Sequence, residues 1–346
     1  MRSRLHLLHH DPPVPHSPSK VPTSLVPRAS GRLPRLLLAA LLVFLLAFAV
    51  RPVAYQVVEA SDPVIAAAGD IACDPASPTF HNGNGSSTAC HEKSTSNLLV
   101  GTGLTAVLPL GDEQYNCGGY QAFVQSYDPT WGRVLAMSHP VAGNHEYLTS
   151  GGTDCSAASD AAGYFEYFGS NAGPSGKGYY SYNIGAWHII ALNSNCDKVG
   201  GCGGGSPQYN WLQADLAANT SLCTLAYWHH PLFSSGGYTS SAVKAFWTLL
   251  YTYHADVVLN GHAHIYERFA AQTPSAVLDS HGIREFIVGT GGDNHTALTT
   301  TAANSEVRNG STFGVLRIIL HSGSYAWKFT PEGGATFTDS GSTACH

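Results

Sequence analysis

Short apolar runs recur along the chain from about residue 63, and each ends in Gly, Asn, Asp or His. Apolar runs of this length, bounded by polar residues and glycine, are typical of buried β-strands. The runs are VIAAAGD (64–70), AVLPLGD (106–112), HPVAGNHE (139–146), HIIALNS (188–194), CTLAYWHH (223–230) and ADVVLNGHAH (255–264). We therefore predict six strands that end in polar side chains.

Helices are expected between several of these runs. The segment 206–220 begins with Ser206 and Pro207, a helix N-cap followed by proline at the first helical position. Strands that alternate with helices favour an α/β fold. Three later runs, at 284–292, 312–323 and 324–330, have no helix between them and are predicted to form antiparallel hairpins. Two stacked sheets flanked by helices accommodate both parts of the pattern.

Two histidines separated by one residue follow the last of the six runs. Because side chains alternate faces in extended backbone, His262 and His264 point the same way. Such a pair indicates a metal site, although paired histidines at a strand end also occur as ordinary packed side chains. In open α/β sheets the chemistry collects beyond the carboxyl ends of the strands. The polar residues expected there are Asp70, Asp112, Tyr115, Asn144, His145, Glu146, His229 and His230.

The composition indicates a globular protein that does not bind nucleic acid by bulk charge. The 346 residues suggest one large domain or two small ones, and 44% of them are hydrophobic. Residues 61–346 carry 10 basic and 21 acidic side chains, a net charge of −11. Nucleic-acid backbones must be met by Lys and Arg, so this body is unsuited to them. Any phosphate handled here needs a local source of positive charge.

The N-terminal segment predicts export. Residues 36–50 form an apolar run of 15 between Arg35 and Arg51. This is short for a membrane-spanning helix of about 20 residues and long for a signal-peptide core. A cleaved signal peptide and an uncleaved signal-anchor, which would tether the protein to a membrane, both stay open. Either places the body outside the cytoplasm, secreted or at the cell surface.

The predicted domain organisation follows from these features. It comprises a basic, proline-rich segment (1–35), the apolar segment (36–50), a linker (51–62), the main domain (63–330) and a C-terminal tail (331–346). The even count of 8 cysteines in an exported chain favours disulfides, and spacing makes Cys196–Cys202 the first expected pair.

Five motifs together resemble the calcineurin-like metallophosphoesterases and, within that superfamily, the purple acid phosphatases. They are GDIA (69–72), GDEQY (111–115), GNHE (143–146), AYWHHP (226–231) and GHAHIYER (261–268), and the resemblance covers about residues 63–330. It implies a four-layer α/β/β/α sandwich of two mixed sheets flanked by helices. It also implies a two-metal hydrolase that acts on a small phosphorylated substrate.

The resemblance implies two sets of metal ligands that share one carboxylate. The first metal would be held by Asp70, Asp112, Tyr115 and His264. The second would be held by Asp112, Asn144, His229 and His262. In this interpretation His262 and His264 each address a different ion.

Comparison with the family pattern identifies one ligand of each metal. The wider superfamily has a ligating histidine where this chain has Ala72, and Tyr115 occupies the place from which the phosphatase subgroup supplies a tyrosine. The subgroup's fourth-motif ligand stands two residues before a proline, which selects His229 over His230.

The charge of this ligand set favours a trivalent first metal. Asp70, Asp112, an ionised Tyr115 and a bridging hydroxide total about −4, so a trivalent and a divalent ion together give about +1. Two divalent ions would do less to ionise a phenol whose ordinary pKa is about 10. We therefore expect Fe(III) at the first position and Zn, Mn or Fe(II) at the second.

Three further histidines are candidate substrate contacts. His145 follows Asn144 and is predicted to act on the leaving group as the catalytic side chain, oriented by Glu146 or another carboxylate. His230 is expected to face the pocket or to pack. His295 lies in a Gly-rich loop that would rim the site.

The sequence thus predicts an exported dinuclear-metal hydrolase, most simply an acid-phosphatase-like phosphomonoesterase that uses metal-bound hydroxide. A phosphodiesterase or a nucleotidase on the same metal core is an alternative. An alternative of a different class is a cell-surface binding module that keeps its metals for structure only.

Overall fold

The structure of the chain is a computed structural model that describes residues 61–298 and 300–346. The segments 1–35 and 36–50 and nearly all of the linker 51–62 lie outside the described residues, and so do the predictions made for them. Within the described ranges, none of the helices has the length and apolar character that a bilayer-spanning segment requires.

The apolar runs of the sequence form strands in the described part of the chain. The strands are β1 (Val64–Ala68), β2 (Ala106–Pro109), β3 (Tyr180–Ile184), β4 (Trp187–Ala191), β5 (Cys223–Tyr227), β6 (Val257–Asn260), β7 (Tyr266–Phe269), β8 (Arg284–Val288), β9 (Ser305–Asn309), β10 (Gly314–Leu320), β11 (Ser324–Pro331) and β12 (Ser340–Ala344).

Helices and short helical turns connect the strands. The helices are α1 (Glu92–Ser96), α2 (Tyr120–Ala122), α3 (Ala162–Phe168), α4 (Pro207–Ala218) and α5 (Lys244–Thr252). A π turn spans Phe123–Tyr127, and 3₁₀ turns span His81–Gly83, Trp131–Met137, His145–Tyr147, Cys155–Ala157, Ser159–Ala161, Gly169–Ala172 and Ser241–Val243. The prediction for α4 is confirmed, because Ser206 accepts a hydrogen bond from the backbone of Tyr209 at the start of the helix.

The strands form two mixed sheets. The smaller has the order β12-β11-β10-β1-β2, with β1 and β2 parallel and the other pairs antiparallel. The larger has the order β3-β4-β5-β6-β8-β7-β9, with β4, β5, β6 and β8 parallel. The carboxyl ends of β1, β2, β5 and β6 are the ends that carry the predicted site residues.

The two sheets pack face to face, and helices cover their outer sides. One buried cluster contains side chains of both sheets, among them Val107, Leu316, Leu225 and Phe286. A second cluster joins the other face of the larger sheet to α4 and α5 through Val258, Leu212, Phe246 and Trp247. Burying one such side chain contributes about 1.5–3 kcal/mol. The predicted α/β/β/α sandwich is confirmed.

One predicted strand does not form. The run 139–146 donates backbone hydrogen bonds from His139 and Val141 to β2, but the only bridge there is at the preceding residue, Ser138. The run then becomes irregular before a 3₁₀ turn. Pro140 has no N–H to offer a neighbouring strand. The N–H of Gly143 donates to the Glu146 carboxylate at 2.7 Å instead of to a ladder. The backbone therefore forms an irregular loop around the buried Glu146 carboxylate.

Two other expectations for the second half of the chain differ from the structure. The β10–β11 hairpin forms as predicted, but β8 lies parallel to β6 and separates it from β7. Residues 331–346, expected as a tail, include β12, which pairs with β11 at the edge of the smaller sheet. The pattern of short apolar runs contains no information on strand order, which long-range packing determines.

All eight cysteines are paired. The disulfides are Cys73–Cys90, Cys117–Cys155, Cys196–Cys202 and Cys223–Cys345. The prediction of Cys196–Cys202 is confirmed. Cys223–Cys345 fastens the end of β12 to the start of β5 and so joins the two sheets.

Loss of the Cys223–Cys345 bond should destabilise the protein more than loss of Cys196–Cys202. The sequence separations are 122 and 6 residues, for which the chain-entropy account gives about 5 and about 2 kcal/mol. Urea unfolding of the two paired Cys→Ser double variants would measure this. Equal losses would contradict the assigned role of the long-range bond.

Candidate metal centre

Four oxygen and nitrogen donors converge on one point beyond the strand ends. The Tyr115 hydroxyl lies 3.0 Å from Asp70 Oδ1, 3.1 Å from Asp112 Oδ2 and 3.0 Å from His264 Nε2. His264 Nε2 is also 3.2 Å from Asp70 Oδ1. Asp70, Asp112 and Tyr115 are almost fully buried. These four residues are the set predicted for the first metal.

A second group of donors shares Asp112 with the first. His229 Nε2 lies 3.1 Å from Asp112 Oδ2 and 3.1 Å from His262 Nδ1. The other ring nitrogen of His229, Nδ1, donates to the Leu110 carbonyl at 2.9 Å and so leaves Nε2 facing the cluster. The side-chain oxygen of Asn144 is buried and has no hydrogen-bond partner.

Tight backbone geometry brings these side chains together. Asp70, Asp112 and His262 have φ values of 59°, 48° and 68°, in the left-handed region that ordinary residues rarely adopt. A Cβ at Gly143 would lie 2.1 Å from Asp112 Oδ1, and one at Gly111 would lie 2.5 Å from His229 Nδ1. Strained residues and obligatory glycines cluster at functional sites, where surrounding contacts hold them in place.

Glu146 supports the loops of the site from below. Its buried carboxylate accepts hydrogen bonds from the backbone N–H groups of Asp112, Gln114 and Gly143 at 2.7–3.2 Å. Burial and the neighbouring Asp112 charge raise the pKa of Glu146 to about 7. Of the two expected alternatives for orienting His145, Glu146 or another carboxylate, Glu146 is wrong because it makes no hydrogen bond to His145. Asp112 is the carboxylate that contacts His145, through the His145 backbone N–H.

His145 faces the cavity and is held by a backbone group. Its Nδ1 donates to the Asn116 carbonyl at 2.9 Å, and its Nε2 lies 4.0 Å from Asp112 Oδ2. Its own backbone N–H donates to Asp112 Oδ1 at 2.8 Å. The ring is therefore fixed beside the cluster, with one nitrogen free to meet a bound molecule.

The two remaining candidate histidines lie in neighbouring cavities. His230 Nδ1 lies 2.8 Å from Ser194 Oγ, and His230 lines a second cavity of about 490 Å³ that Asn144 also lines. His295 stacks on Phe313 with ring centroids 3.9 Å apart and lines a third cavity. His295 does not line the cavity beside the donor cluster, so the prediction that it rims the site is wrong. The preceding residue, Asn294, lines that cavity in its place.

The cavity beside the cluster contains residues that the sequence did not single out. It has a volume of about 380 Å³, and its additional lining residues are Asn116, Tyr238, Asp293, Asn294 and Thr296. Asn294 Oδ1 lies 2.8 Å from His264 Nδ1, and Asp293 Oδ2 lies 3.8 Å from the same nitrogen. Both residues belong to the sequence segment GGDNHT. From the sequence, only the histidine of this segment is selected, and Asp293 and Asn294 are missed.

Charges at the cluster are strongly coupled. Burial alone would raise the pKa of Asp112, but His229 and His145 outweigh burial, and the pKa falls below its usual range. Burial opposes the charge on His229 and His264, yet Asp112 and Asp70, respectively, raise their pKa values to about 9 and about 10. Burial, followed by Asp112 and Asp70, raises the pKa of Tyr115 well above 10. Without a cation, protonated His229 and His264 compensate the negative charge of the cluster.

This arrangement fits a pair of metal ions. Ligand atoms of Asp70, Asp112 and His229 lie within 4.8 Å of one another, and so do those of His229, His230 and His262. Carboxylate, phenol and imidazole groups suit Fe, Zn or Mn. The unpartnered oxygen of Asn144 is the kind of buried polar atom that requires an explanation, and a cation provides one.

Comparison with known proteins agrees with this geometry. The calcineurin-like phosphoesterase family matches residues 95–266, which include the second to fourth motifs and most of the fifth. The chain belongs to the calcineurin-like metallophosphoesterase superfamily. Within this superfamily it resembles the purple acid phosphatases.

Two curated relatives illustrate this resemblance. Purple acid phosphatase 15 of Arabidopsis thaliana is 29% identical over 255 residues, which are 66% of this chain and 45% of the relative. Acid phosphatase A of Cryphonectria parasitica is 29% identical over 150 residues, 36% of this chain and 30% of the relative. The metallophosphoesterase chain thus spans less than half the length of these relatives.

Solved structures share the fold. The purple acid phosphatase PPD1 of yellow lupin (Lupinus luteus) superposes with a TM-score of 0.65 at 18% identity, covering 83% of this chain and 54% of the lupin chain. A structure of PhoD superposes with a TM-score of 0.55 at 13% identity, covering 82% and 69%.

Metal binding to this metallophosphoesterase should release protons. At pH 7, imidazoles with pKa values of about 9 and about 10 in His229 and His264 carry an extra proton, and a metal ligand must lose it. Zn²⁺ affinity should therefore fall as pH is lowered. Calorimetry in buffers of different ionisation enthalpy would count the protons, and His264→Asn should release about one fewer. Binding without proton release would contradict this electrostatic account.

Proposed function

We propose that this chain is an exported dinuclear-metal hydrolase of phosphate esters, acting mainly as an acid-phosphatase-like phosphomonoesterase on small substrates. The observation that carries the proposal is the position of Asp112, whose carboxylate lies between two donor groups and beside His145. Family membership supports the reaction class.

The residues present provide two metal positions. Asp70, Asp112, Tyr115 and His264 would hold the first ion, for which we propose Fe(III). Asp112, Asn144, His229 and His262 would hold a divalent Zn, Mn or Fe ion. The pair would supply the positive charge that this acidic body lacks, clamp the phosphate and lower the pKa of a water molecule.

Tyr115 supports the choice of a trivalent ion. Burial, and then the neighbouring Asp112 and Asp70 carboxylates, hold the pKa of its phenol well above 10 in the absence of metal. Loss of this proton requires a strong compensating charge close to the oxygen. A trivalent ion provides more positive charge than a divalent ion.

We assign proton donation to the leaving group to His145. In hydrolysis a bond forms between phosphorus and the water oxygen, the bond from phosphorus to the ester oxygen breaks, and the departing oxygen gains a proton. The Asn116 carbonyl holds His145 Nδ1, so Nε2 is the nitrogen that can donate that proton. Positioned proton donors typically contribute about 10²–10⁴-fold.

Disulfide bonding supports export. Eight paired cysteines are typical of proteins that fold in an oxidising compartment. Because residues 61–346 carry a net negative charge, we retain the prediction that the protein does not bind nucleic acid through bulk charge.

Phosphate release from phenyl phosphate tests the proposed activity. Wild type should turn over, chelation should abolish turnover, and His145→Ala should slow it by about 10²–10⁴-fold while both metals stay bound. His321→Ala is the matched control, because this histidine follows β10, has a side chain 38% exposed and does not line the cavity beside the donor cluster. Full activity after chelation would refute a metal-dependent hydrolase, and loss of metal in His145→Ala would make His145 a ligand. Preferential cleavage of diesters or nucleotides would support the alternatives on the same core, and inactivity with intact metals would favour a binding module.

Colour tests the assignment of Fe(III). A phenolate bound to Fe(III) absorbs visible light, so concentrated oxidised protein should be purple, as the resemblance implies. Tyr115→Phe should remove the visible band while iron content is largely kept. A colourless wild type that is fully active with two Mn or Zn ions would contradict the iron assignment but leave the hydrolase proposal standing.

A further inference from the structure

One aromatic side chain is exposed at the mouth of the cavity beside the donor cluster. Tyr238 is 61% exposed, and no other aromatic residue in the described ranges is exposed to this degree. It lines the same cavity as His145 and Asn116, and its ring centroid lies 5.7 Å from that of His262. An exposed aromatic ring does not gain the free energy of burial that other aromatic side chains of this protein gain.

The backbone around Tyr238 is arranged to present the ring outward. Tyr238 has a φ of 56°, and Gly237 before it has a φ of 78°. A left-handed conformation is uncommon for a bulky residue and is costly unless surrounding contacts impose it. Nothing lies within 4 Å of a Cβ built at Gly237, so the tip of the loop stands free of the body.

The base of this loop is firmly anchored. The Ser240 N–H donates to the Pro231 carbonyl at 2.9 Å and closes the loop. Ser235 donates from both its N–H and its hydroxyl to the buried Glu267, and its hydroxyl also accepts from the Ala302 N–H at 2.9 Å. The ring is thus held over the cavity by a fixed stem rather than on a loose strand of chain.

The rest of the cavity wall is polar. Its other lining residues carry carboxylate, amide, hydroxyl or imidazole groups, which suit the phosphoryl end of a substrate. The face of Tyr238 is left for the group attached to phosphorus. We propose that Tyr238 determines specificity by stacking on a planar aromatic leaving group, which makes aryl phosphate esters the preferred substrate class. This inference rests on the proposed phosphoesterase function.

The test compares phenyl phosphate with an alkyl phosphate in three variants. Tyr238→Ala should lower kcat/KM for the phenyl ester about 2–12-fold more than for the alkyl ester, the usual range of an aromatic pair. Tyr238→Phe should retain the preference because it keeps the ring. Leu222→Ala, a change at a side chain 59% exposed in another cavity, is the matched control. Since each substrate is compared with itself in wild type, intrinsic differences between leaving groups cancel.

Binding of non-hydrolysable ligands keeps the inference testable without turnover. Tyr238→Ala should weaken phenylphosphonate binding by a similar factor and leave methylphosphonate and inorganic phosphate unchanged, with metal content intact. Equal loss for both phosphonates would mean that Tyr238 only supports His262 and would overturn the inference. Loss of the phenyl preference in Leu148→Ala, in the second cavity, would overturn it by placing the leaving group there. A wild type that binds these ligands but hydrolyses no ester would refute the proposed function, and the binding data would still decide the role of Tyr238.

Discussion

The buried carboxylate of Asp112 is the constraint on which this pole of the protein depends. It lies at the end of β2 and is almost fully removed from water, where an ionised group requires close compensation. Its oxygens meet Tyr115, His229 and the backbone of His145, which belong to three different segments. Gly143 has no room for a side chain because of the same oxygen. The loops are therefore shaped around the negative charge of Asp112. A cation bound there would replace the histidine protons that compensate this charge.

A layer of buried acids beneath Asp112 keeps this charge in place. Glu113 accepts from the Gly111 N–H, and Glu146 accepts from three further N–H groups. Burial and the mutual repulsion of these carboxylates raise the pKa of Glu113 well above its ordinary value. The raised pKa values of Glu113 and Glu146 reduce the negative charge of the supporting layer, whereas His229 and His145 lower the pKa of Asp112 and keep it ionised. Negative charge is concentrated on the side that faces the cavity.

Sequence reasoning succeeded where short-range rules decide the outcome. The carboxyl ends of the strands bring Asp70 and Asp112 together with His229. His262 and His264 both face the cavity as expected, but strand alternation is not the reason, because they lie in a bend between β6 and β7 and His262 has a φ of 68°. Sequence reasoning failed where distant contacts decide: residues 139–146 curl around Glu146, β8 enters between β6 and β7, and the C-terminal segment joins the sheet as β12. His295 was misplaced for a related reason, because it packs on the distant Phe313 while its neighbour Asn294 lines the cavity.

The fold constrains the residues at the strand ends more strongly than the residues of the loops at the cavity mouth. The metal-binding candidates stand at the ends of packed strands, where a shift of one side chain would disturb two sheets. The cavity mouth is built from segments 231–240 and 291–298, which are attached through a few hydrogen bonds, such as those from Gly291 to Gly69 and from Ser235 to Glu267 in β7. Such loops can change sequence at low structural cost as long as those bonds remain. A chain can therefore keep one reaction centre while its loops select the ester that reaches it. For this reason the choice of substrate must be sought in residues such as Tyr238 rather than in the motifs that identify the family.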